Sequence, residues 1–120
     1  MARVLLVSFI AEHLQDRERI LRAAGYEVTV AQSCASASAA IGKEQFDVAV
    51  LGFSSAEEER NQLAREITQA NPAAKIIMMY FSSVKNTELA DAILESSAGP
   101  QDILRAVNHI LNPRNQAQTG

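Results

Sequence analysis

Three short apolar runs, residues 3–7 (RVLLV), 46–51 (FDVAVL) and 75–80 (KIIMMY), constrain the fold of this chain more than any other feature. Runs this short with so little polar interruption suit strands covered on both faces. Such strands belong to parallel sheets, whose crossover connections lay helices on each side. Between the runs the apolar period lengthens from two toward 3.6, as expected where helices alternate with strands. Ile10, Leu14, Arg17, Leu21 and Ala24 recur at helical spacing and Gly25 supplies the stop, although Arg17 puts a cation into the stripe.

The remaining elements follow from the same signals. Residues 26–31 (YEVTVA) alternate and are rich in β-branched side chains, which suits a strand nearer a sheet edge. Residues 35–43 form a small-residue helix, and Ser55 with Glu58 makes an S-x-x-E capping box that starts another helix at Ser55. Glu57, Glu58 and Glu59 then fall in its first turn, where negative charge complements the helix dipole, so the acidic run reads as a solvated helix start and not as a metal site. Leu63 and Ile67 face inward, and Asn71-Pro72 ends the helix. Residues 92–95 (AILE) make a short fifth strand. Gly99-Pro100 opens a last helix with Ile103, Val107 and Ile110 or Leu111 facing inward, closed by Asn112-Pro113. The expected organisation is one domain over residues 1–112 and a polar flexible tail over 113–120.

Composition narrows the function. A net charge of -3 with 21% charged and 48% hydrophobic residues gives no pull toward nucleic acid or anionic membrane, so a protein or a small molecule is the expected partner. Glu12 interrupts the N-terminal apolar run before it reaches the length of a signal peptide or a spanning helix. Cys34 is the single cysteine, which excludes an internal disulfide and fits a reducing, cytoplasmic setting. No cation adjoins it in sequence, so it reads as a bystander and not as a nucleophile.

The order of elements, with the stretches RVLLV, AAGYEV, FDVAVL, KIIMMY and ADAIL…GPQDILRAV, resembles the receiver domain of bacterial response regulators over nearly all of residues 3–111. The resemblance implies a three-layer α/β sandwich on a five-stranded parallel sheet of order 2-1-3-4-5. It also implies where the chemistry of the family should lie. The acidic pair after the first strand falls on Ser8 and Phe9, the phospho-accepting aspartate on Gly52, the Thr/Ser after the fourth strand on Tyr80, and the lysine after the fifth on Ser96. All five positions depart from the family pattern. Magnesium needs anionic oxygen ligands to offset its dehydration, and an acyl phosphate needs a carboxylate nucleophile. Neither is available at these positions, so the resemblance implies a degenerate pseudo-receiver with no catalytic residue, no metal and no cofactor. It would act by protein–protein interaction in two-component signalling. The competing expectation is a sensor that takes a small ligand in the altered pocket.

Only 16 positions separate Tyr80 from Ser96, about six fewer than the receiver interval and nearly two helical turns. The fourth helix is therefore expected to be shortened. Receivers commonly dock through this region, so the resemblance implies a reshaped partner face containing Phe81, Val84 and Leu89, which would meet another signalling protein or a second copy of the chain.

Other readings carry less. Tyr80 as a gate competes with Tyr80 as a filler of vacated volume. The serines at 54, 55, 82, 83, 96 and 97 suit turns and caps as well as an anion pocket. His13 and His109 lie on separate expected helices and read as surface histidines and not as a metal site. No G-x-S-x-G elbow supports a hydrolase. A flavin-binding reading fails on the loop SFIAEH, which is bulky and lacks glycine.

Overall fold

The computed structural model describes residues 2–8, 10–52, 57–80, 90–95 and 99–111, with backbone only at 11, 13, 57, 80 and 95. The elements are β1 (Arg3–Val7), α1 (Ala11–Ala23), β2 (Glu27–Ala31), α2 (Cys34–Lys43), β3 (Val48–Leu51), α3 (Glu57–Ala70), β4 (Lys75–Tyr80), β5 (Ala92–Glu95) and α4 (Pro100–Leu111). All five strands join one sheet of order β2-β1-β3-β4-β5, and every neighbouring pair is parallel. The expected sheet order and the α/β sandwich are thus present. The expected short helix between the fourth and fifth strands and the expected polar tail fall on residues outside the described ones.

The two-residue period of the strands builds two cores. Leu5, Val7, Ala49, Leu51, Ile76 and Met78 point to the side covered by α2 and α3, where Ala37, Ile41, Leu63 and Ile67 meet them. Val4, Leu6, Val48, Val50, Ile77 and Met79 point to the opposite side, against Leu14 and Leu21 of α1 and Ile103 and Val107 of α4. Every residue of β3 is fully buried because both sides of the sheet are covered at its centre. The edge strand β2 is only partly covered: Val28 is buried on one side of the sheet and Ala31 on the other, while Glu27 and Val30 are exposed.

Local chemistry fixes the ends of the elements. Gly25 takes φ +100, a conformation that a side chain makes unfavourable. With Gly25 there, its N–H reaches the Arg22 carbonyl and the Tyr26 N–H reaches that of Leu21, which closes α1. Three boundaries differ from expectation. The second helix starts at Cys34 and not at Ala35, because Ser33 and Ser36 form a reciprocal capping box. The second strand starts at Glu27 and not at Tyr26. The third starts at Val48 and not at Phe46, since Phe46 is buried but lies ahead of the ladder. The expected cap at Ser55 lies outside the described residues.

At the N-terminal edge of the sheet, carboxylates tie strand beginnings together. Asp47 Oδ2 accepts from the Arg3 N–H at 2.8 Å, and Asp91 Oδ2 accepts from the Ile76 N–H at 2.8 Å. The Asp91 N–H also donates to the Ile76 carbonyl at 2.7 Å, so the start of β5 is fixed to β4 by two bonds. Arg3 adds exposed ion pairs to Glu27 at 3.0 Å and Glu44 at 3.6 Å.

Candidate functional site

Ligands of doubly wound sheets bind at the C-terminal edge, where strands end and helices begin. Two of the five sequence-marked positions, Ser8 and Gly52, are described there in full, and the structure brings them together. Ser8 directly follows β1 and is 2% exposed. Its N–H donates to the Ala31 carbonyl at 3.1 Å, and its Oγ accepts from the Ile10 N–H at 3.3 Å, so the hydroxyl steadies the turn into α1.

Gly52 directly follows β3, and its N–H donates to the Val7 carbonyl at 2.8 Å, carrying the β1–β3 ladder one step beyond the strands. A Cβ built at residue 52 would lie 2.8 Å from the Val7 oxygen and 3.4 Å from Cα and Cβ of Ser8. Carbon and carbonyl oxygen do not approach so closely without strain, and the atom in the way is backbone. Gly52 therefore does more than omit a carboxylate: it lets the ends of β1 and β3 close together. Any side chain there, aspartate included, requires these two strand ends to separate.

The other positions are less completely described. Tyr80 ends β4 in register with Glu95 of β5, but its side chain lies outside the described residues. Phe9, Ser96, Phe81, Val84, Leu89 and the serines at 54, 55, 82, 83 and 97 lie outside them as well. Among the described residues, no group of three or more His, Cys, Asp or Glu side chains gathers where a metal could be held.

Cys34 begins α2 and half-faces solvent beside a cavity of about 520 Å³ between α2 and α3, which Ser38, Leu63 and Glu66 also line. Its Sγ donates to Glu59 Oε2 at 3.2 Å. Burial, that hydrogen bond and the nearby charges of Glu59 and Glu66 push its pKa up to about 11. At neutral pH the group is a thiol, which makes it a poor nucleophile.

One feature was visible in the sequence only as a flaw in the α1 stripe. Arg17 is almost wholly buried, and burial lowers its pKa. A cation at a core-facing helical position is the signal that marks it.

No protein-family model matches the sequence, and no curated protein matches it. Solved structures do. The chain is similar to a CheY-like response regulator receiver domain protein from Methanospirillum hungatei, with 25% identity, 98% of each chain covered and a TM-score of 0.84. It is also similar to the chemotaxis response regulator CheY4 of Vibrio cholerae, with 22% identity, 92% of this chain and 99% of that one covered, and a TM-score of 0.81. A two-component response regulator from Clostridium difficile overlaps at 17% identity and a TM-score of 0.81, covering 96% of this chain and 99% of its own. No described helix is long and apolar enough to cross a membrane. With its sheet order, its helix pairs and these overlaps, the chain has the receiver-domain fold of response regulators.

Proposed function

We propose that this chain is a non-phosphorylatable receiver-like module that works by binding a protein partner in the cytoplasm, within a bacterial two-component or related pathway. The observation that carries the reading is the geometry at Gly52. The residue in the phospho-accepting position has no side chain, and the Val7 carbonyl occupies the space where one would begin. Ser8 adds no carboxylate and spends its hydroxyl on the Ile10 amide. In ordinary receivers the phosphoryl group shifts the balance between two shapes through contacts that differ between them. A domain without the acceptor has no such input, and its surfaces present one constant face to a partner.

The protein is treated with acetyl phosphate and magnesium, and separately with beryllofluoride and magnesium, then read by intact mass and by amide NMR. The expected result is no phosphoryl adduct and no saturable shift around Ser8 and Gly52. A stable adduct, or saturable shifts there with beryllofluoride, overturns the reading. The partner face is tested by pull-down with wild-type protein and with Phe81→Ala and Leu89→Ala variants. Loss of the captured protein supports docking through that face, and an unchanged catch removes it.

A further inference from the structure

Asn71 directly follows α3, and the turn into β4 uses its whole backbone: its N–H donates to the Ile67 carbonyl at 2.6 Å and its carbonyl accepts from the Ala74 N–H at 2.9 Å. The side chain takes no part. Asn71 is 7% exposed, and its Nδ2 is buried with no hydrogen-bond partner. Its Oδ1 accepts no bond from the described residues either, but it is not shut away as Nδ2 is. An asparagine at a turn usually earns its place through a bond from its side chain to nearby backbone, and that bond is not made here. Leucine has nearly the same shape and would pack without leaving a buried amide unpaired. The fold alone gives no reason for an asparagine at this position.

Asn71 lines a cavity of about 430 Å³ at the N-terminal edge of the sheet, between the starts of β1, β2 and β3 and the turn from α3 into β4. Gln45 and Asp47 stand exposed on its wall, so it opens to solvent. Asp47 gives Oδ2 to the Arg3 N–H and leaves Oδ1 without a partner among the described residues, and the Gln45 side chain is likewise unbonded. Arg3 is already held by Glu27 and Glu44, so its charge does not call for an anion. We propose that this cavity binds a small, neutral, planar molecule in which an NH2 group stands beside an acceptor, as in a carboxamide or an amino-substituted heterocycle. The two donors of the NH2 group match Asn71 Oδ1 and Asp47 Oδ1, and the acceptor beside them matches the Gln45 amide. Ala70 and Pro72 give the ring an apolar wall. A few polar groups on a partly apolar concave surface of this size suit a small-molecule site. The site lies at the opposite edge of the sheet from Gly52 and uses no residue of the Phe81 face, so a failed pull-down leaves it intact.

The test uses the full chain, with benzamide and adenine titrated in separate arms at neutral pH. Benzoate, which has the size of benzamide but lacks the NH2 group, is the control. The readouts are the side-chain amide resonances of Asn71 and Gln45 and the thermal midpoint. Saturable shifts of both resonances with a rise in the midpoint are expected, and the arm that produces them assigns carboxamide or amino-heterocycle. Asn71→Leu is expected to hold or raise the midpoint without ligand and to weaken binding, read at Gln45, about tenfold, as suits the loss of one hydrogen bond. No response to either probe, an equal response to benzoate, or undiminished binding in Asn71→Leu overturns the proposal; an Asn71 satisfied by trapped water gives the first of these. Should Asn71→Leu fail to fold, Gln45→Ala, an exposed substitution, decides: about tenfold weaker binding read at Asn71 supports the site, and undiminished binding overturns it.

Discussion

The two edges of the sheet use acidic side chains in opposite ways. At the N-terminal edge, Asp47 and Asp91 accept hydrogen bonds from the backbone of neighbouring strands, and Glu27 and Glu44 flank Arg3. At the C-terminal edge, the described positions that would carry acids in a working receiver hold Ser8 and Gly52, and backbone fills the space between them. The difference separates two kinds of need. Carboxylates that hold strand beginnings together serve the fold. On the proposed reading, those of an ordinary receiver's opposite edge serve a reaction, and Ser8 and Gly52 leave the ends of β1 and β3 close together without them.

This contrast can be broken most directly at Gly52. Gly52→Asp is expected to destabilise the protein by up to about 3 kcal/mol, the usual range for forcing atoms into a packed site, and to restore no phosphorylation. Chemical denaturation with an acetyl phosphate assay checks both halves, and a neutral or stabilised variant that accepts phosphate would show that the strand ends part freely. Asp91→Ala should cost about 2 kcal/mol, because it leaves the part-buried Ile76 N–H without its charged acceptor. Hydrogen exchange should quicken at Ile76 in that variant, and unchanged protection would deny the carboxylate its structural part. Asp47→Ala acts on a more exposed amide and should cost about 1 kcal/mol by urea unfolding. Glu27→Gln should move the midpoint least, by under about 0.5 kcal/mol, since its pair with Arg3 is exposed. If Glu27→Gln cost as much as Asp91→Ala, general charge balance would explain the N-terminal edge better than backbone bonding does.

The architecture was legible in the sequence because burial on both sides of a strand leaves a mark on every residue. RVLLV and KIIMMY gave their strands without error, and Gly25 and Pro100 marked helix ends by backbone chemistry that few residues can supply. The errors arose where that mark is ambiguous. Phe46 is apolar because it is buried, which does not require ladder pairing. Ser36 completes a capping box in place of the more usual Glu or Gln, so the box at Ser33 was missed. The site was only half legible. The sequence shows that Gly52 lacks a carboxylate, but the absence reads alike whether the space beside it is empty or filled. The 2.8 Å separation from the Val7 oxygen depends on how closely two strands distant in sequence approach. Arg17 was visible as an irregularity, and only the packed helix shows that its buried Nη1 meets no hydrogen-bond partner among the described residues.

The paired bonds between Ile76 and Asp91 bear on how the chain tolerates changes of length. They fix where β5 rejoins β4, so the connection between those strands does not itself have to position the final βα unit. A βα unit anchored at its first residues keeps its register on β4 whatever the length of the chain that leads into it.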